Sequence, residues 1–331
     1  MTIQITIVGL GQIGASIGLA LAEQNQLFRR IGHDRDVETA RRAQKMGAVD
    51  HVAVNLPSAV READFVMLCV PPDQLREALE IIAPDLKENA IVVDTGPIKV
   101  AMSAWTKELL PEKCSYIGLV PAINPAYLHH DEIGIDAARA DLFQRGLMAI
   151  VALPNSSNDA LQAVTKLAGL LGSDPLFVDP FEIDGLLAST HTVPHLMAVA
   201  LVSGTMSQPG WREARKIAGR AYADVSAASG LTRSGRALGS MALHNRDNVV
   251  RILDGVIAAL QSMRDDIQAH DGESLERQLE SAQQGHARWV KERQAANWIF
   301  DGMPQAVSKS TEGIGFLSRL FGSGIKRKGR N

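Results

Sequence analysis

Two cysteines in 331 residues, Cys69 and Cys114, are too few and too far apart for a disulfide framework or a clustered metal site, and no metal is expected. They suit a reducing compartment, with Cys69 read as a buried free thiol in the apolar run 65–70. Charge of one sign is also scarce. Against 37 Asp/Glu stand 34 Lys/Arg, a net −3, so no global basic field is available to hold nucleic acid. Clean hydrophobic runs are missing too. The most apolar stretch, 186–202, contains His191, Pro194 and His195 and is read as falling short of a membrane span. The opening residues alternate polar and apolar without a basic region or long apolar core, so no signal peptide is expected and a cytoplasmic location follows.

What is present is ordinary globular material, 46% hydrophobic and 21% charged, with length for about two domains. Over the first 180 residues, short apolar runs alternate with amphipathic segments. Strands are predicted at 3–8, 28–34, 64–70, 90–94, 116–120, 148–153 and 175–178, with helices near 13–25, 37–46, 73–83, 99–110, 136–145 and 157–171. That alternation predicts an α/β unit over 1–180: a doubly wound, mostly parallel Rossmann sheet covered on both faces. From 181 to 300 the pattern is helical throughout, broken near Pro209-Gly210 and Gly230, so a second, all-helical domain is expected. Residues 301–331 turn to Gly, Ser and Lys/Arg. The last 25 residues hold six basic residues against Glu312 alone, which reads as a flexible basic tail.

The chemistry begins at Gly9-Leu10-Gly11-Gln12-Ile13-Gly14, a GxGxxG between a strand and a helix. Its first glycine permits a tight turn and its second lets backbone N–H groups approach a pyrophosphate. The third lets helix and strand pack closely, with the anion at the helix N-terminus. Asp34 ends the next strand 20 residues after Gly14, where a carboxylate accepts from a ribose 2′-OH and repels a 2′-phosphate. Arg35 beside it can stack on adenine or tolerate a 2′-phosphate, so NAD is the expected cofactor and NADP stays open. Two further strand ends, Val70-Pro71 and Thr95-Gly96, are placed to border the nicotinamide.

With these motifs in order, the chain resembles the prephenate/arogenate dehydrogenase family. Gly9–Ser16 resembles the family's GLGLIGGS, Gly32–Asp36 its G-x-D-R-D/N, and Asp94–Lys99 its D-x-G-S-x-K. Gly134–Phe143 is similar to its G-x-x-x-A-R-x-x-L-F, and Asp184–Leu196 to its HDxxxA…SHLPHL helix. The resemblance implies an NAD(P)-dependent oxidoreductase that oxidatively decarboxylates a cyclohexadienyl carboxylate toward tyrosine. It also implies a homodimer formed through the helical domain.

Departures fall where that family does its chemistry. Val120 stands at the position of the catalytic His and Pro97 at that of the Ser. Thr192 replaces the first His of SHLPH, and Lys216 the substrate-binding Arg. The remaining catalytic candidates are His195 and His191, four apart on a helical stretch, and Lys99 at the cofactor end of the sheet. Lys216, Arg212 and Arg215 form a basic cluster for substrate carboxylates, and a lengthened loop brings His129 and His130 as further candidates near the substrate. Two rival readings follow from Val120 and Pro97: a dehydrogenase of the same scaffold for another hydroxy or amino acid, and a non-catalytic dinucleotide-binding regulator.

Overall fold

The computed structural model describes residues 2–154, 156–230, 235–296 and 298. Eight strands form one sheet: β1 (Ile3–Val8), β2 (Phe28–His33), β3 (His51–Val52), β4 (Phe65–Leu68), β5 (Ile91–Asp94), β6 (Ser115–Pro121), β7 (Leu147–Ala152) and β8 (Asp174–Phe177). Their order is β3-β2-β1-β4-β5-β6-β7-β8. The first six run parallel, β7 turns antiparallel to β6, and β8 is parallel to β7. The sheet is the doubly wound Rossmann type that the alternation of strands and helices predicts, with the strand order reversing at β1.

Both faces are buried, which explains why β4 and β5 are apolar at nearly every position. On one face, Ile5, Ile7, Met67, Val93, Ile117 and Leu119 meet α1 (Gln12–Ala20), α2 (Val37–Lys45) and α6 (Asn158–Leu170). On the other, Val8, Val66, Leu68, Val92 and Tyr116 meet α3 (Leu56–Val60), α4 (Leu75–Ile82) and α5 (Lys99–Leu109). The short strand β3 and the one-turn α3 lack enough periodicity to be seen in sequence. The helix predicted at 136–145 is absent. That segment is a 3-10 turn (Gly134–Ala137) followed by turns, ending at Arg145 in the left-handed region (φ 60°). Its apolar residues Ile135, Leu142 and Phe143 are buried as anchors of an irregular loop and not along one helix face.

Beyond Pro180 every described element is helical: α7 (Pro180–Leu187), a π-turn (Ala188–Thr192), α8 (Val193–Met206), α9 (Trp211–Ile217), α10 (Arg220–Ala227), α11 (Gly235–His244), α12 (Arg246–Ala269) and α13 (Gly272–Ala295). Contrary to expectation, the continuous helical run Pro180–Met206 is long and apolar enough, by length and composition, to cross a membrane. His191 and Pro194 do not interrupt it, because a π-turn absorbs the irregularity and Pro194 falls in the first turn of α8. The basic tail expected at 301–331 lies outside the described residues.

The antiparallel turn at β7 decides where the helical part sits. Since β8 follows β7, it ends at the edge opposite the carboxyl ends of β1–β6, so α7 must climb back along the sheet. Ile183 and Leu187 pack on Ala149, Val151 and Val120 as it climbs. At Asp184 it is level with the start of α5, and the π-turn and α8 rise above the carboxyl edge. The helical part is thereby held over the edge where ligands of open α/β sheets bind.

Candidate active site

The glycine loop has the stereochemistry its motif demands. Gly9 has φ 90°, and a Cβ there would lie 2.6 Å from the Cys69 carbonyl oxygen. A Cβ on Gly14 would lie 1.9 Å from the Gly9 carbonyl oxygen. A Cβ on Gly11 would meet nothing within 4 Å. The first and third glycines are therefore required by the protein's own packing, whereas the second faces open space. Among the described residues no side chain caps the N-terminus of α1, so its N–H groups, at Gln12 and Ile13 among others, are open to an anion.

Asp34 stands beside this loop. Its Oδ2 accepts from the Leu10 N–H at 2.7 Å and its Oδ1 from the Asp36 N–H at 2.9 Å. The two bonds fix the carboxylate between the ends of β1 and β2 and leave lone pairs for a further donor. Arg35 is swung away to Glu77 in the first turn of α4 (2.5 Å). Val70 and Pro71 lead into the 3-10 turn Pro72–Gln74, on which α11 packs. Thr95 donates to the Leu68 carbonyl, and Gly96 N–H to Asp94 Oδ2 at 2.8 Å.

Lys99, a catalytic candidate from the sequence, is fully buried at the base of this loop. Its ammonium donates to Asp94 Oδ2 at 2.8 Å and to the Asp94 carbonyl at 3.1 Å. Gly118 leaves the room for its chain, since a Cβ there would lie 3.0 Å from Lys99 Cδ. Tyr116 donates to the other Asp94 oxygen at 2.6 Å. Burial pulls the Lys99 ammonium below its ordinary range, opposed by Asp94, and drives the Tyr116 phenol well above its own. The side chain ties β5 to α5 and does not face the cleft.

Asp184 completes the group from the helical side. Its Oδ1 accepts from Lys99 N–H at 2.7 Å and its Oδ2 from Val100 N–H at 2.9 Å, capping α5, which has no cap of its own. Asn245 donates to the Asp184 carbonyl at 2.6 Å, drawing in the start of α12. Nearby, His244 meets the Trp105 ring edge-on at 5.0 Å. The sequence signal for this joint is a lone acid in the apolar run Ile183–Leu187; its partner was not legible.

The histidines of the helical run lie above this joint. By helical rise, His191 is about 10 Å beyond Asp184 along the run. His195 Nδ1 is 2.7 Å from the Ala228 carbonyl, which can only accept. Nδ1 therefore carries a proton, and Nε2 is the ring nitrogen that can exchange one. His191 lies in the π-turn with Nδ1 2.9 Å from the Thr190 hydroxyl. Its ring is reached by solvent yet walled by protein mass, and that desolvation, with the electrostatic influence of the neighbouring His195 imidazole, holds it below the ordinary imidazole range. The π-turn, a feature concentrated at functional sites, had no signal in composition.

The other candidates lie farther out. Arg212, Arg215 and Lys216 are exposed on α9, with Lys216 paired to Glu213 at 2.5 Å. His130 is exposed, 3.4 Å from Glu132 and edge-on to Tyr127. Its loop is pinned to α1 through Arg139 N–H and Ser16 Oγ (2.9 Å). His129 is exposed on the same loop. Val120 is packed against α7 in the apolar cluster described above and offers no proton acceptor.

A Rossmann sheet with an intact glycine loop, roofed at its carboxyl edge by a helical cover bearing two imidazoles, defines a dinucleotide-binding protein of the dehydrogenase type. Two models of one family match successive parts of the chain. One, described as prephenate dehydrogenase, nucleotide-binding domain, matches residues 17–173, and the other, prephenate dehydrogenase, dimerization domain, matches residues 179–281. The chain belongs to the prephenate/arogenate dehydrogenase family. Among curated relatives, the prephenate dehydrogenase of Bacillus subtilis is 28% identical over 283 residues, covering 84% of this chain and 74% of that protein. The cyclohexadienyl dehydrogenase of Zymomonas mobilis is 29% identical over 277 residues, covering 82% and 90%. Among solved structures, Aquifex aeolicus prephenate dehydrogenase in complex with hydroxyphenyl propionate and NAD+ superposes with TM-score 0.75 at 20% identity, covering 87% of this chain and 98% of that one. Synechocystis arogenate dehydrogenase gives 0.66 at 23%, covering 87% and 100%. At these identities the structural likeness is one of fold.

Proposed function

We propose that the protein is an NAD-dependent prephenate/arogenate dehydrogenase-type oxidoreductase, converting a cyclohexadienyl carboxylate to its aromatic product with loss of carbon dioxide. The observation that carries this reading is the glycine loop together with Asp34. Gly11 leaves open the space that a pyrophosphate would fill, the α1 N-terminus is uncapped, and Asp34 is locked with lone pairs to spare for a ribose hydroxyl. These residues fit the dinucleotide. Gly9–Gly14 and Asp34 would hold its phosphates and adenosine ribose, with Val70, Pro71, Thr95 and Gly96 along the nicotinamide half. When bound, the nicotinamide supplies the hydride acceptor.

The chain's own part is to bind the carboxylates and to accept the hydroxyl proton as the carbonyl forms. His191 and His195 take this second role in our reading, because neither Val120 nor Pro97 can. A neutral imidazole is required, and the depressed basicity of His191 favours it, while the bond from His195 Nδ1 to the Ala228 carbonyl leaves Nε2 as that ring's exchanging nitrogen. Arg212, Arg215 and Lys216 are assigned to the substrate carboxylates, the ammonium of Lys216 as a point charge in place of a bidentate guanidinium. His130 is kept as an outer candidate.

We assign residues 1–180 to cofactor binding, 181–300 to the substrate cover and dimer contact, and 301–331 to a basic tail. The helical part leaves Ile217 87% and Leu243 74% exposed, with Ile257, Leu260 and Ile267 half-exposed along α12. A second copy of the chain, joined as a homodimer, is the proposed partner for this apolar surface. The same pairing is our account of the apolar Pro180–Met206 run, whose Asp184, His191 and His195 suit a protein interior better than lipid. A cytoplasmic location is supported by two free cysteines.

Production of NADH or NADPH from prephenate and from arogenate tests the reading. Turnover that disappears in both His195→Ala and His191→Ala supports the assignment. Tight NAD binding without turnover of either compound refutes it and leaves the two rivals, a dehydrogenase of the same scaffold for another hydroxy or amino acid and a non-catalytic dinucleotide-binding regulator, with both of which the apolar packing of Val120 agrees.

A further inference from the structure

The sheet order β2-β1-β4 places the glycine loop between two flanking strand ends. Arg35 follows β2 on one side, and Glu77 lies in the first turn of α4, after β4, on the other. Their side chains meet, Nη2 to Oε2 at 2.5 Å, with both more than half exposed. The ion pair therefore spans the groove above β1 from one bank to the other. In the dinucleotide reading proposed above, on which this inference rests, that groove receives the adenosine half of the cofactor.

The neighbouring groups sharpen what the pair does. Asp34 cannot turn aside, because both of its oxygens are held by backbone N–H groups. Further cations on the β2 side are engaged elsewhere: Arg41 pairs with Glu38 and Arg42 with Asp136. Arg35 is thus the guanidinium best placed to neutralise a ribose 2′-phosphate, and it is turned toward a carboxylate.

We propose that Glu77 is a specificity-determining residue: by holding Arg35 across the groove, it withholds the guanidinium from a 2′-phosphate and sets a second carboxylate against it. The physical basis is competition between two anions for one fork of donors. An exposed pair is weakly held, so its release shifts the preference by a modest factor. Asp34 remains in place in either case, so the cofactor preference narrows without inverting.

The test measures dissociation constants of NAD+ and NADP+ by calorimetry, which requires no turnover, for wild type, Glu77→Gln, Arg35→Ala and the double variant. Both positions are exposed, and circular dichroism verifies that each variant is folded. Glu77→Gln is expected to tighten NADP+ on the order of five-fold while leaving NAD+ within about two-fold, and the double variant to lose the gain. Unchanged NADP+ affinity in Glu77→Gln overturns the proposal, as does a gain that persists when Arg35 is Ala. Failure of wild type to bind either dinucleotide refutes the dinucleotide reading itself and this inference with it.

Discussion

Asp184→Ala removes a side chain that reaches from the helical cover to cap α5. The Lys99 and Val100 N–H groups would lose acceptors at 2.7 and 2.9 Å, in a place too buried for water to replace them freely. Each unsatisfied buried donor costs about 1–3 kcal/mol. Burial also holds the Asp184 carboxyl above its ordinary range, so its charged form is itself disfavoured and its removal returns part of that cost. The net loss is about 2–4 kcal/mol, a large share of the roughly 5–15 kcal/mol that stabilises a typical fold.

The sign of the pH dependence follows from the raised pKa. Asp184's contribution is fully present below the unfolded value of 3.8 and diminishes as pH rises through the folded value. The loss in Asp184→Ala should therefore be largest on the acid side and shrink toward neutrality. Asp184→Asn keeps one acceptor but turns an NH2 toward the second N–H, so it should fall between wild type and alanine. Urea unfolding followed by circular dichroism and tryptophan fluorescence measures all three. Trp105 lies on α5 against His244, so fluorescence also reports on the joint. A loss below about 1 kcal/mol for Asp184→Ala would refute the capping account.

Four further outcomes are expected. Gly11→Ala should keep wild-type stability but lose dinucleotide affinity, because its Cβ enters open space that the pyrophosphate needs. Gly14→Ala should lose about 1–3 kcal/mol of stability through its contact with the Gly9 carbonyl, and calorimetric binding beside thermal unfolding separates the two effects. If His191 is the base, turnover rises as it deprotonates, so the acid limb of the kcat/KM profile lies below the ordinary 6.5 and vanishes in His191→Asn; a limb above that value contradicts the assignment. Burial pushes the Cys69 thiol up to about 12, so alkylation near neutral pH should be slower than for a free thiol by a factor on the order of a thousand, as mass spectrometry of iodoacetamide-treated protein would show.

The alternation of strands and helices, the glycine loop and the acid ending β2 were all legible in the sequence. Each depends on local periodicity or on a steric demand met within a few residues, as Gly9 and Gly14 illustrate. The family resemblance was legible for the same reason: its motifs are short and lie in order. Tertiary structure alone decided the rest, because those contacts join residues far apart in the chain. Lys99 begins a helix like an exposed surface lysine, and only the folded sheet encloses it with Asp94 and Tyr116. Asp184 caps a helix 84 residues away, and Glu77 reaches Arg35 42 residues back. The π-turn that carries His191 lies where α7 continues into α8, and local composition gave no sign of it. Local sequence sets the elements and the cofactor loop; long-range packing determines which charges are buried, which are paired and which face the cleft.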